Sequence, residues 1–376
     1  MELELSSDQK LFLAAARGLL EKDEPLDRVR NLADGDPGWD RDWWLRAAEL
    51  GWAATLVPEE LGGGSVSGEG VRDLAMLAEE LGASVAPGPF LPTNVVLAGL
   101  IAAHGLGPDH AALIEALVAG ELVATWAVYE PGREWSPHEP RVIATPAPGG
   151  WRLDGSKDRV EAGQESDLLV VVAMTPEGPT QFVVPTSATG VSVHPQWSLD
   201  LSRAFAEVRM DGVTVGADAV VGTLGGAEPL VEQQLRVALV IQCAEVCGGL
   251  DRAFAATMQW AFDRYSFGRP LASYQALKHR FADMRTWLEA CHATTQAAAS
   301  AVQAGSPQAA ELVSVAKSFV ADRSLRILQD CVQLNGGLGV TWEHDLHLYL
   351  RRATSHRSLY GTPEDHRRRL ADLASL

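Results

Sequence analysis

The chain has 376 residues, 47% of them apolar, enough for a large core in one or several packed units. Forty-nine Asp and Glu against 31 Lys and Arg give a net charge of −18, a sign that repels phosphate backbones and anionic lipid and argues against nucleic-acid and membrane-surface roles. No apolar stretch reaches membrane-spanning length, and the acidic Met1-Glu2-Leu3-Glu4-Leu5 start lacks the basic region and apolar run of a signal peptide.

From residue 1 to about 120 the pattern is helical. Ser6-Ser7-Asp8-Gln9 has the form of a capping box, and Leu11, Ala14, Ala15 and Leu19 then recur at helical spacing. Trp43, Trp44 and Trp52 are expected as core or interface anchors. Gly62-Gly63-Gly64 and the stretch from Pro87 to Pro92 mark breaks. From 121 to 225 short β-rich runs take over: Leu122–Tyr129, Val142–Thr145, Asp167–Ala173, Gln181–Val184 and Ala204–Met210, separated by glycine-containing turn signals such as Asp-Gly. The unbroken apolar run from Leu168 to Ala173 suits a strand covered on both faces. From 226 to 376 the helical period returns, with long helices over Ala293–Ala304 and Ala310–Leu328. The order is helix, sheet, helix: a mainly α chain with a central β-domain and a C-terminal four-helix bundle.

Cys243, Cys247, Cys291 and Cys331 all lie in apolar helical contexts. The first two are one turn apart, but no His or Cys partner stands at zinc-like spacing, so buried free thiols and a reducing cytoplasm are expected rather than a metal pair. His344 and His347, set among Trp342 and Arg351, are expected to cap and pack a helix.

Two segments can carry chemistry. Arg264-Tyr265-Ser266-Phe267-Gly268, followed by Gln275, could be a helix end, a glycine turn and a new helix with a solvated arginine. The same guanidinium, aromatic ring and amide around one turn could instead pair a pyrophosphate and pack a purine. Gln333-Leu334-Asn335-Gly336-Gly337-Leu338-Gly339 could be a glycine helix stop, or a backbone that lets a phosphate-bearing ligand approach closely. Spacing alone leaves both open.

Together these two segments resemble the flavin-binding signatures of the acyl-CoA dehydrogenase family. Val57-Pro58-Glu59-Glu60-Leu61-Gly62-Gly63, Glu130-Pro131-Gly132, Leu153-Asp154-Gly155-Ser156-Lys157 and Ala282-Asp283-Met284 resemble further family motifs, so the likeness spans nearly the whole chain. The resemblance implies an N-terminal helical domain, a middle β-domain and a C-terminal bundle that forms the oligomer interface. It implies FAD, with Arg264, Phe267, Gln275, Gln333, Gly336, Gly337 and Gly339 contacting the ADP half of a flavin held mostly by a neighbouring subunit. It also implies an acyl thioester of CoA or acyl carrier protein as substrate, and an electron-transferring flavoprotein as electron acceptor.

The departures are as informative. Dehydrogenation between Cα and Cβ needs a carboxylate to take the α proton while the flavin accepts hydride. The family places that Glu just before a Gly-Thr, where this chain has Tyr360 before Gly361-Thr362, and a phenol is a poor base at neutral pH. The alternative family slot on an earlier helix falls near Ala238, with Leu239 where an arginine is expected, and Glu232, Arg236 and Glu245 sit in a different helical phase. Arg133-Glu134-Trp135 replaces a small residue and Ser, Tyr129 replaces Thr, and Arg159-Val160-Glu161 replaces the Trp-containing strand that packs on the flavin ring. A carboxylate at 161 is expected to repel reduced flavin. Residues that reach a neighbour's FAD are kept, and those that hold the chain's own are replaced, as in heteromeric members from actinobacterial sterol side-chain breakdown. The chain is therefore expected to be a companion subunit without its own base. The alternatives are a self-sufficient dehydrogenase using Glu161 or Glu245, and a flavin-free binding or assembly protein.

Overall fold

The computed structural model describes residues 5–22, 25–32 and 36–375. Helices α1 (Ser7–Lys22), α2 (Pro25–Asn31), α3 (Arg41–Glu49), α4 (Gly70–Ala83), α5 (Phe90–Ala103) and α6 (Ala111–Val118) come first. The capping box forms: Ser6 N donates to Gln9 Oε1 and Gln9 N donates to Ser6 Oγ, both at 3.1 Å. Trp43 and Trp52 are buried and meet edge to face at 5.6 Å, and Trp52 stands edge-on to Phe90, so these indoles anchor the core.

Strands β1 (Ala124–Ala127), β2 (Ile143–Ala147), β3 (Gly150–Glu161), β4 (Leu168–Thr175), β5 (Gly178–Pro185), β6 (Val191–Gln196), β7 (Phe205–Gly216) and β8 (Val220–Val221) form a sheet in the order β6-β7-β3-β2-β4-β5-β8, with β1 parallel to β4. The apolar run in β4 is covered on both faces. Val170 and Val172 enter the core shared with the helices, whereas Leu169, Val171 and Ala173 enter the sheet's own core with Phe182 and Val208. Strand β3 was not among the expected runs, because Asp154-Gly155 reads as a turn. It is a bulge inside the strand. The register against β7 shifts between Leu153 and Gly155, Gly155 sits at φ 139°, and Asp154 Oδ1 accepts from Gly212 N at 2.8 Å.

The C-terminal part holds α7 (Ala227–Asp263), a hairpin of β9 (Tyr265–Ser266) and β10 (Arg269–Pro270), then α8 (Gln275–Gln303), α9 (Ala309–Asn335), α10 (Leu346–Ser358) and α11 (Pro363–Leu373). Helix α7 is buried on nearly every side from Val237 to Leu250, which is why it reads as apolar all round. It crosses α4 at close quarters: a Cβ at Gly82 would lie 1.9 Å from Glu245 O, and one at Gly248 would lie 1.9 Å from Glu79 O. Only glycine permits that contact. The four cysteines are buried free thiols, and burial pushes Cys243, Cys291 and Cys331 up to about 12. Among the described residues no helix is long and apolar enough to cross a membrane.

Candidate functional site

The Arg264 segment is built as a presented turn. Helix α7 stops at Arg264, whose guanidinium lies 5.8 Å from the Trp260 ring centroid. Phe267 and Gly268 both have positive φ, 50° and 79°, and close the β9–β10 hairpin, the backbone required of a two-residue hairpin loop. Tyr274 buttresses it, donating its hydroxyl to Ser266 O at 2.7 Å while Arg269 stacks on its ring at 3.9 Å. Phe267 is nevertheless 97% exposed. A bulky residue in the left-handed region costs about 1–3 kcal/mol, and an aromatic ring held there in water gains nothing within this chain. Gln275 opens α8 and is exposed.

The second segment lies alongside. Gln333 is exposed in the last turn of α9, Gly336 caps that helix at φ 61°, Gly337 is exposed and Gly339 is buried. The preceding residue, Asn335, donates to Thr257 Oγ1 at 3.0 Å, two turns before Arg264 on α7. The predicted nucleotide-side residues are thus brought to one end of the bundle, on two segments joined by that buried hydrogen bond.

Tyr360 lies elsewhere, deep between sheet and bundle. It is buried at φ 57°, its ring stacked with Trp126 at 5.9 Å and close to Tyr129 and Trp135 at 5.9 and 6.1 Å. Tyr129 and Trp135 pack on each other at 5.0 Å. The backbone here is pinned on every side. Tyr360 N donates to the Tyr129 hydroxyl, and Tyr360 O accepts from His366 Nε2 at 2.8 Å. Lys317 Nζ donates to Leu359 O at 2.7 Å, to His356 O and to Gln242 Oε1. Burial raises the Tyr360 phenol well above 10, so it is no base.

Glu161 and Glu245, the candidate carboxylates, converge on one buried cation. Arg203 donates one arm to Glu161 and the other to Glu245 Oε1, the latter at 2.5 Å, while Arg352 pairs with Asp200 at 3.1 Å and donates to Ser202 beside it. This corrects the expectation that Glu161 faces the flavin cleft as a bare charge. Its carboxylate turns inward and pairs with Arg203, which it shares with Glu245. Glu130 of the Glu-Pro-Gly segment is likewise structural, accepting from Arg141 N, Val142 N and buried Lys157 Nζ, each at 2.8 to 3.1 Å. Beside the aromatic group an open cleft of about 840 Å³ runs between sheet and bundle, lined among others by Arg159, Gln196, Trp197, Phe205, Thr354 and Ser358. His344 and His347 take helix-terminal roles, with His344 Nδ1 accepting from Leu346 N and His347 hydrogen-bonding Trp342 O.

Residues 6–121 match the acyl-CoA dehydrogenase N-terminal domain and residues 229–374 the acyl-CoA dehydrogenase C-terminal domain. The acyl-CoA dehydrogenase IpdE2 of Mycobacterium tuberculosis is 30% identical over 96% of both chains. The chain belongs to the acyl-CoA dehydrogenase family. IpdE2 of Mycolicibacterium smegmatis is 28% identical over 97% of this chain and 98% of its own. Among solved structures, the Tcur3481-Tcur3483 steroid ACAD superposes with a TM-score of 0.85 at 28% identity over 98% of this chain and 97% of that one. Butyryl-CoA dehydrogenase of Megasphaera elsdenii shares the fold at TM-score 0.89 and 23% identity, over the full length of both chains.

Flavins serve the acyl-CoA dehydrogenase family, and the residues of this member fit one unevenly. The exposed turn and glycine segment fit an incoming nucleotide: donors, an aromatic face and accessible backbone. The cleft does not fit the flavin ring in the family manner. The positions that replace the family's flavin contacts, Tyr129 and Arg159, are spent on each other: the Arg159 guanidinium carbon lies 4.3 Å from the Tyr129 ring centroid. Sequence reasoning missed this contact and the Arg203 hub, since nothing local announces either.

Proposed function

We propose that this chain is the companion subunit of a two-component acyl-CoA dehydrogenase, completing the nucleotide side of a FAD whose ring is held by a second, glutamate-bearing subunit. The observation that carries this reading is the asymmetry between its two half-sites. The nucleotide-side half is exposed and pre-shaped around Arg264, Phe267 and Gly336, while on the ring side Arg159 is stacked on Tyr129 at the wall of the open cleft. The base position holds Tyr360 amid buried aromatics, and the two candidate replacement carboxylates, Glu161 and Glu245, are both engaged by Arg203. A self-sufficient enzyme would need one of them free. The similar steroid ACAD carries the names of two proteins, Tcur3481-Tcur3483, which supports the two-subunit form.

When bound, FAD supplies the hydride acceptor for α,β-dehydrogenation of the acyl thioester. This chain's part is binding and orientation of the nucleotide through Arg264, Gln275 and the backbone of Gly336 and Gly337, with the bundle end around Phe267 shielding it from water. The test is flavin absorbance of the purified chain alone and after co-expression with an acyl-CoA dehydrogenase chain that keeps the glutamate. Alone, the protein is expected to be colourless, and the pair yellow and bleached by acyl-CoA. A yellow chain that bleaches unaided would show a self-sufficient enzyme, and a colourless chain indifferent to the partner would show a flavin-free scaffold.

A further inference from the structure

We propose that Asn335 and Thr257 form a buried register lock that sets the offset between the glycine segment and the Arg264 turn, and through it the grip on FAD. This rests on the companion reading and deepens it by naming the residues that bring its two binding segments into line. Thr257 stands seven residues before Arg264 on α7, about 10 Å of helix at 1.5 Å per residue, and Asn335 directly precedes Gly336 at the end of α9. A contact between these two side chains therefore fixes how far each binding segment reaches along the bundle. Both are positioning residues: Thr257 is 0% and Asn335 3% exposed, so neither touches a nucleotide.

The bonding leaves no freedom in that contact. Asn335 Nδ2 donates both hydrogens, to Thr257 Oγ1 at 3.0 Å and to Cys331 O on its own helix at 2.9 Å, and the Thr257 hydroxyl donates onward to Ala253 O at 2.8 Å. Carbonyls at both ends set the direction of every donor, so the amide has one orientation: turned over, its oxygen would face Cys331 O. Asn335 Oδ1 has no partner among the described residues. A buried amide with one acceptor unspent is a costly way to fill a helix contact, and an apolar residue of the same size would fill it more favourably. What the amide adds is register, as a buried Asn does between packed helices. The turn that follows is built on it. Gly336 sits at φ 61° and ψ −138°, a region that glycine adopts and other residues avoid, and a Cβ at Gly339 would lie 2.6 Å from Val332 O and 3.0 Å from Asn335 Cβ. The glycine segment is thus folded back on the same turn of α9 that Asn335 ties to α7.

The experiment is FAD release on dilution, read as flavin fluorescence, from the complex of this chain with an acyl-CoA dehydrogenase chain that keeps the glutamate. Thermal unfolding of this chain alone and sedimentation of each complex accompany it, for wild type, Thr257→Ser, Thr257→Val, Asn335→Leu, and Thr257→Val with Asn335→Leu. Thr257→Ser keeps the hydroxyl and its hydrogen bond, and is expected to hold FAD within about twofold of wild type. Each of the others is expected to weaken retention about tenfold or more, on the order of losing an orienting partner at a ligand site. The double variant separates positioning from stability: with both polar groups gone no donor is left unpaired, so its unfolding is expected to return toward wild type while its FAD stays loose. Sedimentation is expected to show every complex assembled, since neither side chain reaches the surface. Wild-type FAD retention in the folded double variant would overturn the proposal, as would retention that simply follows unfolding temperature across the series, and either result leaves the companion reading standing. A wild-type pair that does not assemble, or assembles without FAD, would overturn both.

Discussion

Arg203 holds two glutamates that no other cation neutralises as directly, and its removal shows what that is worth. Burial raises the pKa of Glu161, while Arg203 pulls it down. Replacing Arg203 with Met leaves Glu161 and Glu245 buried without their charge partner, and such a break costs about 3–5 kcal/mol. Denaturant unfolding is expected to record a loss of that size. Tyr360→Glu restores the family's residue but not its chemistry. The new carboxylate would sit between Trp126, Tyr129 and Trp135 with Glu161 nearby, so the variant is expected to unfold several degrees lower and remain unable to bleach flavin with acyl-CoA by itself. A Tyr360→Glu chain that turned over alone would contradict the altered ring-side half-site.

At the scale of elements, the α4–α7 crossing and the Phe267 hairpin make opposite demands. Gly248→Ala pushes a methyl into Glu79 O, so the helices must part, and overpacking of this kind costs about 1–3 kcal/mol. A fall in thermal midpoint without loss of helix content would record it. Phe267→Asn should do the reverse for the isolated chain, because Asn is several-fold commoner than Phe at φ 50°: unfolding is expected to move up by about 1 kcal/mol, part of the left-handed strain. The same change is expected to loosen flavin in the co-expressed complex, read as nucleotide released on gel filtration.

These elements also show what a sequence can disclose. The glycine turn at Gly268 was legible because a turn needs particular residues, though the β9–β10 hairpin around it was not named, and Tyr360 was legible because the family resemblance marks the position before Gly361-Thr362. Strand β3 was not, since Asp154-Gly155 is equally good chemistry for a turn and for a bulge, and only pairing with β7 decides. The contact of Arg159 with Tyr129 was hidden for a different reason: residues thirty apart meet only after β1 and β3 are aligned, and a period of two does not say toward which neighbour a side chain leans. The inward turn of Glu161 was missed likewise, because its partner Arg203 lies 42 positions on, and that partner's other ligand Glu245 a further 42 beyond it.

For the molecule as a whole, the interface of sheet and bundle buries histidines that must stay neutral. Burial lowers His366 from 6.5 to about 4, with Lys317 and Arg369 acting in the same sense, and burial drives His356 well below its ordinary value, aided by Arg203 and Arg352. A folded pKa below the unfolded one adds stability above pH 6.5 that is lost as pH falls. His366 alone accounts for about 3 kcal/mol lost between pH 6.5 and 4. Glu161 acts oppositely, since its raised pKa lets the folded state take up a proton first. Denaturation at pH 7.5 and pH 5 is expected to show a marked loss at the lower value, and His366→Gln to flatten that slope while lowering stability at pH 7.5. An unchanged slope would mean that the histidine is not kept neutral by this packing.

The stacked pair at Arg159 and Tyr129 carries a historical consequence. Shrinking Tyr129 alone strands a guanidinium over an empty space, and replacing Arg159 alone leaves the phenol still blocking the gap. Each single replacement is therefore unrewarded until its counterpart follows, and the two touching side chains act as a ratchet on each other's substitution.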